Sequence, residues 1–170
     1  MAINYLKQLK DINGNLIFAK KNETRQSFGC GAFGIELKTK TENGKTFPAS
    51  NWNNFPPLKA LVDQISNMSG ILFNYLVIQY YPKGSTYMGP HKDKEVDDEL
   101  PIVGISLGTS VRLLRLAKEN HNHTAVHVQE LLPRSMYQLR PPTNKNFTHA
   151  IIQSDDENER WSLNLRFVQQ

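Results

Sequence analysis

From residue 71 onward the chain is divided into seven short apolar segments, and this spacing limits the fold more than any other feature of the sequence. The segments are rich in Val, Ile, Leu and Tyr, and Pro, Gly, Asn or charged residues separate them. Many short strands at such intervals are typical of a sandwich, jelly roll or barrel. The predicted strands are ILFNYLVIQYY, LPIVGISLG, SVRLLRLA, TAVHVQELL, SMYQLRP, THAIIQ and RWSLNLRFV.

The residues before these strands follow other patterns. Asn-Gly, the strongest short hairpin signal, occurs in DINGNLIFA and again in TENGKTF, so the first 50 residues are predicted to form short strands and turns. In PPLKALVDQISNMSG, prolines at the start and a glycine at the end enclose an apolar pattern of helical period. We therefore predict one amphipathic helix that packs through Leu58, Leu61, Val62, Ile65 and Met68.

Composition restricts the class of protein. The chain has 170 residues, 39% hydrophobic and 21% charged, which are ordinary values for one soluble globular domain. No run approaches the roughly 18 apolar residues of a membrane span, and the start lacks the apolar core of a secretory signal. Cys30 is the only cysteine, so no internal disulfide can form. We expect an intracellular monomer, cytoplasmic or nuclear, that is neither secreted nor bound to membranes.

The excess positive charge lies at the N-terminal end. Residues 1–45 contain eight Lys/Arg and four Asp/Glu, whereas residues 46–170 contain twelve of each. A basic surface there favours a polyanion such as nucleic acid. A net charge of +4 is also modest enough to do no more than keep the protein in solution.

The last predicted strand carries two arginines on one face. Side chains alternate along a strand, so Trp161, Leu163, Leu165 and Phe167 share the apolar face. The opposite face either meets water or binds an anion inside a barrel, because the arginine fork matches carboxylates. The same alternation in FNYLVIQYY predicts a shared face for Phe73, Tyr75, Val77, Gln79 and Tyr81, of which the last two are either ligand contacts or ordinary strand residues. The polar face of the last strand consists of Arg160, Ser162, Asn164 and Arg166.

The stretch GPHKDKEVDDELP is either a solvated charged loop or half of a metal site. In an extended chain, His91 and Asp93 point the same way, as two ligands of one metal must. A second histidine would complete a 2-His-1-carboxylate face with open coordination positions. His149 in FTHAIIQ is the candidate. The tract HNHTAVH competes, although it is more typical of a hairpin loop entering a strand; its histidines are His121, His123 and His127.

The chain carries, in order, H-x-D, a later His and R-x5-R. This ordered set resembles the AlkB-like branch of the Fe(II)/2-oxoglutarate dioxygenases. FNYLVIQYYPKGSTYMGPHKDKE resembles the family's strand and turn entering H-x-D, LPIVGISLG the next strand, and RWSLNLRF the terminal arginine strand; TRQSFGCGAFG more faintly resembles the substrate-lid strand. The resemblance implies a mainly β fold with α: a double-stranded β-helix (jelly-roll) core over residues 71–168, with an N-terminal helix and substrate-lid hairpins. It implies one domain over residues 1–170, with the lid in residues 1–55.

The resemblance also implies roles for single residues. His91, Asp93 and His149 would hold Fe(II), O2 would take an open position, and no catalytic residue is implied beyond the iron ligands. Family members usually have Asn where Gln79 stands, and Asn164 occupies a position where Thr is more frequent. The residues implied to bind 2-oxoglutarate are Arg160, Arg166, Tyr81, Asn164 and Gln79.

AlkB-like enzymes mostly act on N-methylated bases such as 1-methyladenine and 3-methylcytosine. The resemblance therefore implies an oxidative demethylase of DNA or RNA, with single strands preferred because the base must leave its stack. Glu95 matches a base-contacting position of the family, or is a surface residue of an acidic run. Phe28 either stacks on the base or belongs to the core, and Arg25 matches the lid strand. Phosphate contacts are expected from some of Lys20, Lys21, Arg25, Lys38 and Lys40.

Two other functions fit the same sequence. One is a protein or small-molecule hydroxylase on the same iron scaffold, which formaldehyde release from methylated substrates would distinguish. The other is a non-catalytic β-sandwich that binds nucleic acid through its basic N-terminal part, which would bind no iron.

Overall fold

A computed structural model describes residues 2–19, 24–32, 34–38, 46–94, 96–97, 99–118 and 124–169. Up to Ser69, the described residues form two helices and four short strands. One further turn, Trp52–Asn54, is a 3-10 helix. The elements are α1 (Ala2–Lys7), β1 (Gln26–Gly31), β2 (Glu36–Lys38), β3 (Thr46–Pro48), β4 (Ser50–Asn51) and α2 (Pro56–Ser69).

In the described residues after Ser69, the regular elements are eight strands and one helix. They are β5 (Tyr75–Tyr81), β6 (Met88–His91), β7 (Ile102–Gly108), β8 (Arg112–Ala117), β9 (Ala125–Leu131), β10 (Ser135–Leu139), α3 (Pro141–Asn146), β11 (Thr148–Ile151) and β12 (Arg160–Arg166). All seven strands predicted from the apolar segments are present, as β5 and β7 to β12. The short strand β6 and the helix α3 were not predicted.

These strands form two main sheets. The larger has the order β10-β7-β12-β5-β1-β4, and the smaller has the order β6-β11-β8-β9. Successive strands from β5 to β12 enter both sheets, which is the pattern of a jelly roll and confirms the predicted fold class. β2 and β3 form a separate antiparallel pair.

β12 lies at the centre of the larger sheet, between β5 and β7, and all seven of its residues are buried. Its apolar face, Trp161, Leu163 and Leu165, packs in the main core, where α2 contributes Leu58 and Val62. The predicted division into an apolar and a polar face is therefore confirmed for residues 160–166. Phe167, predicted on the apolar face, follows the strand and is only partly buried. Because the core covers one face, the arginine face is left toward the interior of the jelly roll.

The predicted helix is confirmed as α2, with one residue corrected. It begins at Pro56, and Gly70 ends it in the left-handed conformation with φ 70°, donating its N–H to Ser66 O. Met68 is not part of the buried face; its side chain is 71% exposed. Ten residues after Leu58, a helix has turned away from the buried face, and Ser66 takes the buried place instead.

Another correction concerns Phe73. It precedes β5 rather than lying within it, and it packs in the main core beside Leu76 and Ile78. It therefore does not share the face of Gln79 and Tyr81. The predicted alternation starts at Phe73, two residues before the strand itself begins.

The first 50 residues contain a helix as well as strands, so their prediction was only partly right. α1 is anchored by Leu6, which is 2% exposed. The turn in DINGN is confirmed: Asp11 Oδ1 accepts hydrogen bonds from the N–H groups of Asn13 and Asn15, and Gly14 has φ 81°. β2 and β3 pair as a hairpin would, whereas the turn between them lies outside the described residues. No helix in the described ranges is long and apolar enough to span a membrane.

Candidate metal and co-substrate site

Two histidines meet where β6 and β11 pair in the smaller sheet. The antiparallel register sets His149 opposite His91, and their ring centroids are 4.2 Å apart. Asp93 lies just beyond β6, with Oδ1 3.5 Å from His91 Nε2 and Oδ2 3.8 Å from His149 Nε2. The three ligand atoms lie within 4.8 Å of one another. The residues predicted as iron ligands therefore form one compact 2-His-1-carboxylate group, the donor set used by non-haem Fe(II) oxygenases.

The charge of Asp93 suits a metal ligand. Its side chain is nearly buried, and burial alone would raise its pKa. Arg166 Nη2 lies 2.8 Å from Asp93 Oδ2, and this cation together with the hydrogen bond to His91 holds the pKa of the carboxyl well below its usual range. Asp93 is therefore an ionised carboxylate at neutral pH.

The pKa values of the two histidines are shifted in opposite directions. Burial lowers the pKa of His149 to about 4, so this imidazole is neutral at pH 7. Burial also acts on His91, but hydrogen bonds with Asp93 and with Gly89 O leave its pKa raised. His91 Nδ1 lies 2.9 Å from Gly89 O, so when Nδ1–H donates there, Nε2 faces the other two ligand atoms.

A narrow cavity leads from the histidines into the jelly roll. Arg160 does not itself line this cavity. It is fully buried, with its Nε donating to Ser106 Oγ over 2.9 Å and its Nη2 over 3.3 Å to the Oγ of Ser162, which is a lining residue. Its Nη1 has no hydrogen-bond partner among the described residues. A buried guanidinium N–H without a partner is costly, and a carboxylate is the group that would satisfy it. The predicted residues that line the cavity are Gln79, Tyr81, His91, Asp93, His149, Asn164 and Arg166.

Hydroxyl and amide groups complete the cavity wall. Tyr81 Oη donates to Gln79 Oε1 over 2.9 Å, and Tyr137 Oη donates to Asn164 Oδ1 over 3.2 Å. Tyr137 was not predicted, although alternation in SMYQL places it on the same face as Leu139. Gly104 makes room for it, because a Cβ there would come within 2.2 Å of the tyrosine ring.

A second residue missed by sequence reasoning is Arg112, at the start of β8. It is fully buried, and its guanidinium donates to four backbone carbonyl oxygens. Its charge lies 5.6 Å from the Tyr81 ring centroid, and that of Arg160 lies 5.3 Å from the same ring. Arg112 therefore ties the loop after β5 to the end of β11, which are the chain segments beside the histidines. The carbonyl acceptors belong to Lys83, Gly84, Thr86 and Ile152.

A wider groove opens on the outer side of the metal group. Arg25 and Ser27 form one wall, and Met88, Gly89 and Pro90 belong to another. The exposed Arg25 is thus beside the groove, where a substrate-binding residue was predicted.

Phe28 lies elsewhere, on the opposite face of β1 from Ser27. Its ring packs edge-on against Phe18 and Phe55, with centroids 6.5 and 5.3 Å away. This packing favours the core alternative for Phe28 over base stacking.

Several candidates lie outside the described residues: Glu95, His121, His123, Lys20, Lys21 and Lys40. The backbone of Lys38 is described, but its side chain is not. The third histidine of the tract, His127, is exposed on β9, opposite Leu116. It does not belong to the His91 group.

Comparisons with known proteins agree with this geometry. A family model described as the 2OG-Fe(II) oxygenase superfamily matches residues 2–166. DNA oxidative demethylase ALKBH2 of Mus musculus is 25% identical over 120 residues, covering 66% of this chain and 49% of the relative. ALKBH2 of Homo sapiens is 27% identical over 120 residues, covering 66% and 45%. The chain thus spans about half the length of these relatives or less.

A solved structure supports the fold. The structure of OsALKBH1 superimposes with a TM-score of 0.52 at 16% identity, covering 84% of this chain and 78% of that one. At this identity, the likeness concerns the jelly-roll architecture alone.

Proposed function

Because this chain belongs to the 2OG-Fe(II) oxygenase superfamily, as an AlkB-like member, we propose that it is an oxidative demethylase that removes N-methyl groups from nucleic-acid bases. The family uses Fe(II), 2-oxoglutarate and O2. The observation that carries the proposal is the compact group His91, Asp93 and His149, which lies between an enclosed cavity with a buried arginine and an open groove.

In this proposal, the enclosed cavity and the open groove on the two sides of the metal group bind different molecules. The two histidines and Asp93 would hold Fe(II), which with 2-oxoglutarate and O2 would supply the oxidising chemistry for hydroxylating an N-methyl carbon, so that the methyl group is lost as formaldehyde. The three ligand atoms come from one β-strand pair and the residue just beyond it, so their spacing exists before any metal binds.

The enclosed cavity is proposed to hold 2-oxoglutarate. The hydroxyl of Tyr81 and the amides of Gln79 and Asn164 line this cavity. Arg160 lies next to it through its bond to Ser162, and its Nη1 is a buried donor available for a carboxylate. Arg166 lies nearer the metal group, where its contact with Asp93 would leave it beside the other end of the co-substrate. Two buried cations match a dicarboxylate, and burial strengthens their attraction for it.

The open groove is proposed to receive the methylated base. Val77, Met88 and Pro90 give it apolar surface for a planar ring, and the exposed Arg25 is placed for a phosphate. We propose 1-methyladenine and 3-methylcytosine as substrates, in single strands rather than duplexes, since an unpaired base avoids an unstacking cost of a few kcal/mol. Glu95 remains the proposed base contact. We further propose that residues 1–55 contain the lid and residues 71–168 the core of one domain.

The test is formaldehyde release from matched single-stranded, duplex and free-nucleoside substrates, with Fe(II), 2-oxoglutarate and ascorbate. The proposal expects the fastest release from single-stranded oligonucleotides, falling as salt rises from about 50 to 200 mM because phosphate contacts are screened. Equal, salt-independent rates on the nucleoside would favour a small-molecule substrate. Succinate formation with a peptide but with no methylated base would indicate a protein hydroxylase. A chain that neither binds iron nor consumes 2-oxoglutarate would be the non-catalytic alternative.

A further inference from the structure

Asn144 binds the backbone of a proposed metal ligand from a distant part of the chain. It lies on α3, its side chain is nearly buried, and it meets Asp93 across a separation of 51 residues. The N–H of Asp93 donates to Asn144 Oδ1 over 3.2 Å, and Asn144 Nδ2 donates to Asp93 O over 2.8 Å. One amide side chain therefore binds both backbone polar groups of Asp93.

Asp93 needs such support because no strand holds it. β6 ends at His91, two residues earlier, so the ladder that aligns His91 with His149 does not extend to Asp93. Without other contacts, rotation of the backbone at Asp93 would move its carboxylate relative to both imidazoles. The amide of Asn144 replaces the missing ladder hydrogen bonds at that residue.

We infer that Asn144 is a positioning residue for the metal site, which fixes the backbone of Asp93 so that its carboxylate faces His91 and His149. The inference rests on the proposed function of these three residues as the metal ligands. Both polar atoms of the Asn144 amide bond to the backbone of Asp93, so Asn144 acts through that ligand.

The same helix connects the second histidine to this contact. α3 ends at Asn146, the N–H of Phe147 bonds to Thr143 O over 3.0 Å, and β11 begins at Thr148, one residue before His149. Asn144 thus holds one ligand while lying five residues before another. Through these two connections, α3 sets the positions of Asp93 and His149 relative to each other.

Asparagine suits this position chemically. Its planar amide offers one acceptor and one donor side by side, which matches the N–H and C=O of one residue. Aspartate keeps the acceptor, loses the donor and adds a charge near Asp93, whereas alanine removes both bonds.

The chain contains a matched control. Asn74 Nδ2 donates to Val168 O over 2.9 Å, and the N–H of Val168 donates to Asn74 Oδ1 over 2.8 Å. This is the same two-bond contact across 94 residues, made to a residue that is not a proposed ligand. Removing either amide deletes two hydrogen bonds of similar length, buried at Asn144 and partly buried at Asn74, so loss of stability alone would appear in both variants.

The test compares Asn144→Ala, Asn144→Asp and Asn74→Ala in the full chain. Affinity for Co(II), used as a spectroscopic substitute for Fe(II), is measured by anaerobic titration, and thermal unfolding is measured without metal. We expect both Asn144 variants to bind Co(II) about 10- to 100-fold more weakly, as when outer hydrogen bonds to metal ligands are removed. Asn74→Ala should keep the wild-type affinity despite a comparable loss of thermal stability.

Two results would overturn the inference: Asn144 variants with wild-type Co(II) affinity, or an Asn74→Ala variant with an equal loss. If Asn144→Ala does not fold, Asn144→Asp, which keeps one of the two bonds, decides the question. Failure of the metal-site assignment would be distinct, because the wild-type chain would then bind no Co(II) at all. Failure of the demethylase proposal alone would leave Co(II) binding by the wild type intact and would appear only in the formaldehyde assay.

Discussion

His91 and His149 are direct partners across the antiparallel pair of β6 and β11. The separation of the two imidazoles is therefore set by strand register, and a shift of one residue would turn one ring to the opposite face of the sheet. The third ligand, Asp93, lies outside this ladder and depends on contacts with Asn144 and Arg166.

The ligand assignment predicts that only two of the histidines are needed for iron binding. His91→Ala, Asp93→Ala and His149→Ala should each abolish most Fe(II) binding and all turnover, because each removes one of three ligands. His127→Ala is the control and should bind iron as the wild type does, since His127 is exposed on β9. Anaerobic metal titration checks both. Retained iron binding in His149→Ala, together with its loss in His127→Ala, would mean that the wrong histidine was assigned.

The two arginines should respond differently to the same substitution. Arg160→Lys loses the fork that binds a carboxylate, so 2-oxoglutarate should bind about 10- to 100-fold more weakly while Fe(II) affinity is kept. Arg166→Lys should weaken both, because Arg166 also contacts Asp93. Separate titrations of metal and co-substrate distinguish the two effects. Unchanged 2-oxoglutarate affinity in both variants would refute the assignment of the cavity.

Cys30 should be inert in the native protein. Burial raises the pKa of its thiol from 9.0 to about 12. At pH 8, a thiol reagent should therefore modify Cys30 in guanidinium chloride but not in buffer. Between pH 9 and 12 the unfolded chain loses this proton while the folded chain keeps it, so stability should fall as pH rises. Below pH 9, Cys30 should not contribute to the pH dependence of the free energy of unfolding.

The measurement for the alkaline effect is the free energy of unfolding against pH, compared with Cys30→Ala. Other groups that titrate in this range cancel in the difference between the two proteins. Rapid labelling of native Cys30 at pH 8 would contradict its burial.

Arg112 should be a major stabilising residue. Arg112→Met keeps the bulk but removes a donor from four carbonyl oxygens. Lys83 O and Gly84 O still accept from the N–H groups of Thr86 and Ser154, whereas Thr86 O and Ile152 O depend on Arg112. The free energy of unfolding, measured in urea, should fall by about 1–3 kcal/mol or more. Arg140→Met, at an exposed position, is the control and should change stability by less than about 0.5 kcal/mol. Equal stability of the two variants would show that the carbonyl contacts carry little energy.

Local patterns explain which parts of this structure could be predicted. The seven predicted strands follow from alternation and from turn residues, which act within a few positions of the chain. Alternation also identified the polar face of β12. His149 was already the candidate partner for His91 and Asp93, and the resemblance favoured it over the histidines of HNHTAVH. The register of β6 and β11 brings His149 and His91 together, with Asp93 beside them.

The missed features depend on contacts between distant residues. Asn144 stands in a short, proline-initiated helix whose sequence, PPTNKN, has no apolar period to signal it. Arg112 occupies the first residue of a strand, where an arginine normally faces solvent. Phe28 could not be assigned to the core or the groove until β1 was seen paired with β5, because that pairing decides which of its faces meets Phe55.

The most direct test of the proposed activity is mass spectrometry of a single-stranded oligonucleotide that carries one 1-methyladenine or one 3-methylcytosine. The oligonucleotide is incubated with the protein, Fe(II), 2-oxoglutarate and ascorbate, and Asp93→Ala serves as the inactive control. We predict loss of the methyl mass from the base, with one formaldehyde and one succinate formed per base repaired, and none of these with the control. An unchanged oligonucleotide, under conditions in which the wild-type protein binds iron and 2-oxoglutarate, would contradict the assignment of methylated nucleic-acid bases as its substrates.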